Sequence, residues 1–75
     1  MIHNLKIKQE FAIEYYNQNK PWEIRKNDRD FKVNDIIIFT IIETGFIYQR
    51  TILYIFQDEN FGLQKGYCIL TLSKS

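Results

Sequence analysis

Three residues in the stretch "KPWEIR" could do chemistry together: Lys20, Glu23 and Arg25. Glu23 and Arg25 stand two apart, which on an extended chain places them on one side about 7 Å from each other. Lys20 lies just ahead. An acid between two bases can hold all three charges in a partly dry groove, and the planar guanidinium fork of Arg25 suits a phosphate or a base edge. The same spacing also describes an ordinary solvated strand face, whose ion pairs are each worth about 0 to 1 kcal/mol. The neighbourhood adds to the first reading. Five of the ten basic residues fall between Lys20 and Lys32 (Lys20, Arg25, Lys26, Arg29 and Lys32), against Glu23, Asp28 and Asp30. Asn27 joins the same face if the strand runs that far, and Arg29 follows in the loop.

Other chemistry is scarce. His3 is the one imidazole and Cys68 the one thiol, too few for a tetrahedral zinc site, so no metal and no cofactor are expected. The serines are confined to the C-terminal tail, which leaves no Ser/His/Asp arrangement. Cys68 sits amid apolar strand residues and reads as inert packing. No glycine-rich loop opens a helix to cradle phosphate. His3, at the start of a strand, is a surface residue or points into a groove. Trp22 could stack on a base, but its alternation with Ile24 assigns it to the core.

The elements that must position these groups follow from periodicity. "HNLKIK" (3–8) alternates Leu5 and Ile7 with polar residues, as a half-buried strand does. "QEFAIEYYNQN" (9–19) sets Phe11, Ala12, Tyr15 and Tyr16 along one helical stripe. Pro21 pushes Lys20 to an extended conformation, and the asparagines before it tolerate a left-handed cap. "WEIRK" alternates again. Trp22 and Ile24 are expected in the core, with Glu23 and Arg25 on the opposite, polar face. "NDRDFKVND" (27–35) is a polar loop anchored by Phe31 and Val33, and Asn34-Asp35 turns into the next strand with Asn34 at positive φ. "IIIFTII" (36–42), apolar on both faces, reads as a central strand covered on both sides, with the helix as its cover. A turn at Thr44-Gly45 leads to a partner strand over 48–56 and so to a hairpin. A loop over 57–66 and a last strand over 67–72 complete the chain.

This order predicts an α+β, mainly β fold: a small, nearly closed barrel of about five strands with one short helix, in which closure protects the strand edges. At 75 residues the expectation is one domain over 1–75, near the size at which a single core barely offsets chain entropy. There is no apolar run long enough to cross a bilayer, the first ten residues are too polar for a signal peptide, and the lone Cys68 speaks for a cytoplasmic setting rather than a disulfide framework. A net charge of +1 is small for a nucleic-acid binder, so any basic footprint is local.

The pattern Lys-x-x-Glu-x-Arg after a short helix, here Lys20, Glu23 and Arg25, resembles the signature of the ASCH (activating signal cointegrator homology) domains of the PUA-like superfamily. The run "EIRKNDRDFKVND", with "HNLKI" before it and "FGLQKGYCIL" after it, looks like a compact bacterial and phage branch of unknown role. The resemblance implies a small β-barrel with a helix at one end and a cleft beside it that Lys20, Glu23 and Arg25 face, with RNA or a nucleotide-like molecule as partner. Gln18 departs from the glycine common two residues before the lysine. Small relatives that hydrolyse acetylated cytidine carry Thr three residues after the Lys. Glu23 stands there in this chain, so that activity is not carried over.

Two further readings accompany the RNA-binding module. One is a nucleoside or RNA hydrolase with Lys20 and Glu23 as acid and base, which requires both pKa values to move toward neutrality. The other is a protein-interaction factor, for example in phage takeover of a host, using the outer face of the 36–42 strand. Oligomeric state is not legible from these residues.

Overall fold

The structure, a computed structural model, describes residues 1–16 and 21–74, excluding the side chains of Tyr15 and Tyr16. The expected turn over 17–20, the Lys20 position and the Tyr15 and Tyr16 part of the helical stripe therefore lie outside the described residues.

The elements in chain order are β1 (Ile2–Ile7), α1 (Gln9–Tyr16), β2 (Trp22–Lys26), β3 (Ile36–Ile41), β4 (Ile47–Phe56), a 3-10 turn (Glu59–Phe61) and β5 (Tyr67–Leu72). One five-stranded sheet in the order β1-β3-β4-β5-β2 curls into a half-barrel, so the mainly β, barrel-like expectation holds. β1 runs parallel to β3, and the remaining neighbours are antiparallel. Curling brings the two edge strands, β1 and β2, toward each other.

Alternation fills the concave side. His3, Leu5 and Ile7 of β1 stand beside Ile37, Phe39 and Ile41 of β3, and all six are buried. Phe39 in turn stacks on Tyr48 of β4, ring centroids 5.1 Å apart. From β5 come Cys68, Leu70 and Leu72, and Phe31 enters from the loop before β3. Each fully buried Ile, Leu or Phe side chain is worth about 1.5–3 kcal/mol relative to an exposed one, which is why a domain this small needs the whole concave face.

β4 is long because it turns the corner. Its first half pairs with β3 and its second half with β5, and between Ile52 and Tyr54 the register slips. Leu53 and Tyr54 together oppose one residue, Thr71, so a bulge inverts the side-chain phase. Tyr48 and Ile52 face inward before it. After it the inward residue is Ile55, which packs on the core.

Asn34 has φ 78°, as expected of the turn into β3. Gly45 (φ 76°) closes the hairpin turn, where its N–H donates to the Ile41 carbonyl at 2.8 Å.

Four expectations are corrected. Trp22 and Ile24 are not in the core: they are 40% and 49% exposed, whereas Glu23 is only 7% exposed. The reason lies in β5. Cross-strand partners share a face, and Glu23 and Arg25 oppose Leu70 and Cys68, which are wholly buried. Val33 is exposed, leaving Phe31 as the anchor of its loop. β3 is buried on its inner face alone, with Ile36, Ile38 and Thr40 half-buried and Ile42 exposed beyond its end. Finally, in the described part of the α1 stripe Ala12 is buried as expected but Phe11 is exposed, as is the neighbouring Ile13.

Candidate functional site: the seam between the edge strands

Where the half-barrel fails to close, β1 and β2 flank an open cleft of about 630 Å³. Its position follows from backbone direction. Met1 and Ile7 turn their carbonyls to the N–H groups of Ile36 and Ile42, so the carbonyl of Lys6, one residue out of phase, turns away from β3 toward the seam. There it accepts a hydrogen bond from Arg25 Nη2 at 2.8 Å. A single side chain of β2 thus bridges to the backbone edge of β1, which would otherwise present an unpaired acceptor.

The same guanidinium holds Glu23. Arg25 Nε and Nη2 approach Glu23 Oε2 at 3.0 and 2.8 Å. An ion pair with one member this buried gains much Coulomb energy and loses much hydration, so its net worth depends on complete hydrogen bonding. Here the arginine donates to a carboxylate and a carbonyl together, which fixes its plane across the seam.

Because β2 is an edge strand, both of its faces border the cleft. Glu23 and Arg25 line it from inside, Trp22, Ile24 and Lys26 from outside. Lys6 and Lys8 stand on the β1 side, Phe11 comes from α1, and Tyr67 opens β5. The mouth is cationic and aromatic. Lys8 also starts α1, its carbonyl accepting from the N–H groups of Phe11 and Ala12 at 3.1 Å, while Glu43 Oε1 accepts from the N–H of Gln9 at 2.9 Å. The β3–β4 turn thereby caps the helix and sets the far wall, to which Ile42 contributes.

Of the residues expected at a site, Glu23 and Arg25 come together, and Lys20 lies outside the described residues. Asn27 does not join the cleft lining. Its Oδ1 accepts from the Phe31 N–H at 3.2 Å and its Nδ2 donates to Gln57 at 3.0 Å, so it ties two loops. Arg29 is an exposed loop residue and not part of the lining. His3 is corrected outright: at 4% exposure it is neither surface nor groove. It lies edge-on to Phe31 with centroids 4.7 Å apart, and its Nε2 is 2.8 Å from Asp35 Oδ2.

Asp35 is the hub of that second cluster. Besides His3 it receives the Lys32 N–H at 3.0 Å and the Met1 amino group at 3.0 Å. The hydrogen bond from His3, then that from the Met1 amino group, hold its carboxyl at about 2, against an ordinary 3.8. It fastens the start of β1 to the turn before β3. Cys68 is fully buried, and burial first, then the charge of Asp28, pushes its thiol up, which disfavours the thiolate. Among the described residues no group of three or more His, Cys, Asp or Glu side chains could hold a metal ion. No helix among them is long and apolar enough to cross a membrane.

Sequence reasoning missed Lys6, Lys8 and Lys26 as cleft residues and placed Trp22 on the wrong side. The alternation in "LKIK" did mark Lys6 and Lys8 as outward. What linked them to Trp22 is the meeting of two strand edges, which local pattern does not encode.

No curated protein matches the chain. A family profile does match, over residues 2–72, from the first residue of β1 to the last of β5, and its description is a domain of unknown function, DUF3850. The chain whose edge strands frame this cationic, aromatic seam belongs to the DUF3850 family.

Proposed function

We propose that this protein is an RNA-binding module of the ASCH and PUA-like kind, and that the seam between β1 and β2 is its binding cleft. The observation that carries the reading is the Glu23–Arg25 pair on the inner wall of a cleft whose mouth holds Lys6, Lys8, Lys26, Trp22 and Phe11. Fixed donors and acceptors inside a cationic rim match the needs of a phosphate-bearing ligand with polar base edges. Lys20, two residues before Trp22, adds charge to the same segment. The buried Cys68 accords with a cytoplasmic setting, which is part of the proposal.

The test is a fluorescence titration that exploits Trp22, the single tryptophan, with short single-stranded and hairpin RNAs at low and moderate salt. Lys20→Ala and Arg25→Ala are run beside the wild type, with a thermal melt on each sample to report folding. Salt-dependent quenching that weakens in folded variants is the expected result. Affinity unchanged in both variants, or no response to any RNA, would remove the reading.

A further inference from the structure

Resting on the RNA reading of the seam, we infer that the cleft takes an unpaired single-stranded segment, with one base stacked on Trp22 and the flanking phosphates on Lys6, Lys8 and Lys26. This divides the labour differently from the sequence expectation, in which Arg25 held phosphate. Nε and Nη2 of Arg25 are already engaged, with Glu23 and with the Lys6 carbonyl. The lysines at the rim are exposed, and an exposed ammonium on a flexible stem adapts to a phosphate chain without disturbing the barrel.

Size and exposed aromatic surface together favour an unpaired strand. About 630 Å³ falls in the ordinary range for sites that enclose small molecules, roughly 300–1,000 Å³, which is room for one or two nucleotides. A duplex is far wider and offers no open base face, whereas unpaired bases can be splayed out and stacked on aromatic side chains. Trp22 is turned outward at the end of β2, 40% exposed, in the same lining as Lys6, Lys8 and Lys26. Burying a tryptophan is the usual outcome in a small core, and here the register of β5 instead delivers it to the seam. Phe11, 44% exposed across from it on α1, supplies a second apolar surface, so a base entering the cleft meets aromatic groups from two elements.

The experiment measures anisotropy of a labelled single-stranded RNA and of the same strand annealed to its complement, each against the full chain. Proteins compared are wild type, Trp22→Ala, Trp22→Phe and the triple variant Lys6→Gln, Lys8→Gln, Lys26→Gln. The single strand should bind at least tenfold more tightly than the duplex. Trp22→Ala should weaken single-strand binding roughly 5- to 150-fold, as loss of a stacked base does, with Trp22→Phe recovering most of it. The triple variant should flatten the log–log salt dependence by about 2. Equal binding of duplex and single strand, or a neutral Trp22→Ala, overturns this inference while leaving an RNA module in place. Failure of the wild type to bind any RNA removes the RNA reading itself and this inference with it.

Discussion

Replacing Arg25 by leucine isolates the ion pair that holds the seam. The substitution removes the donors to Glu23 Oε2 and to the Lys6 carbonyl while leaving the carboxylate beside the wholly buried Leu70. Breaking a fully buried pair from one side costs about 3–5 kcal/mol, whereas an exposed pair is worth 0 to 1. The Glu23 side chain is 9% exposed but that of Arg25 is 26%, so solvent screening lowers the expected cost to about 2–3 kcal/mol. A single core of this size supplies roughly 3–5 kcal/mol in total, so Arg25→Leu should lose half or more of the stability and lower Tm by about 10–20 °C. Urea unfolding followed by far-UV circular dichroism measures it, with Glu23→Leu and the double Glu23→Leu, Arg25→Leu completing a cycle. Leucines at both positions can pack beside Leu70 and Cys68, so the double variant should be more stable than Arg25→Leu alone. An Arg25→Leu protein within about 0.5 kcal/mol of wild type, the range of a surface change, refutes the reasoning, and so does a double variant less stable than the sum of its singles.

Three more outcomes follow from other parts of the barrel. The carboxyl of Asp35 is held at about 2 against an ordinary 3.8, so the stability it lends is complete above about pH 4 and drains away as pH falls through about 2; Asp35→Asn should flatten that acid limb in urea midpoints measured from pH 5 to 2. Cys68, fully buried with its thiol pushed up, should resist a disulfide reagent in the native protein and react at a rate that tracks unfolding as urea is added. Deleting Leu53 removes the residue that changes the phase of β4 and forces either Ile52 or Ile55 out of the core, so the deletion should lose amide dispersion in its NMR spectrum, whereas Leu53→Ala, at an exposed position, should keep it.

Much of this architecture was legible in short stretches. The alternation of "HNLKIK" placed β1, and the short apolar run "YCILTL" placed β5 at its observed bounds, because both patterns report a strand whatever its partner in the sheet. Asn34 announced its left-handed turn because its short polar side chain tolerates that conformation better than most. Cys68 was expected to be buried in its strand, and it is. Glu23 and Arg25 were expected on one face, and they share one.

Which face that was, local pattern did not say. In "WEIRK" hydrophobicity argues for Trp22 and Ile24 inward, yet the pairing of β2 with β5 sets the pleat, and Leu70 and Cys68 already claim the interior. A one-residue choice of phase sends every side chain of a strand to the other face, and it is made by a partner more than forty positions away. The His3–Asp35 contact, 32 positions apart, and the meeting of Lys6 with Arg25 across the seam have the same character. Side-chain type and spacing are properties of the chain, but an edge, a seam and the groups that line it exist only once the sheet has curled and brought its first and last strands together.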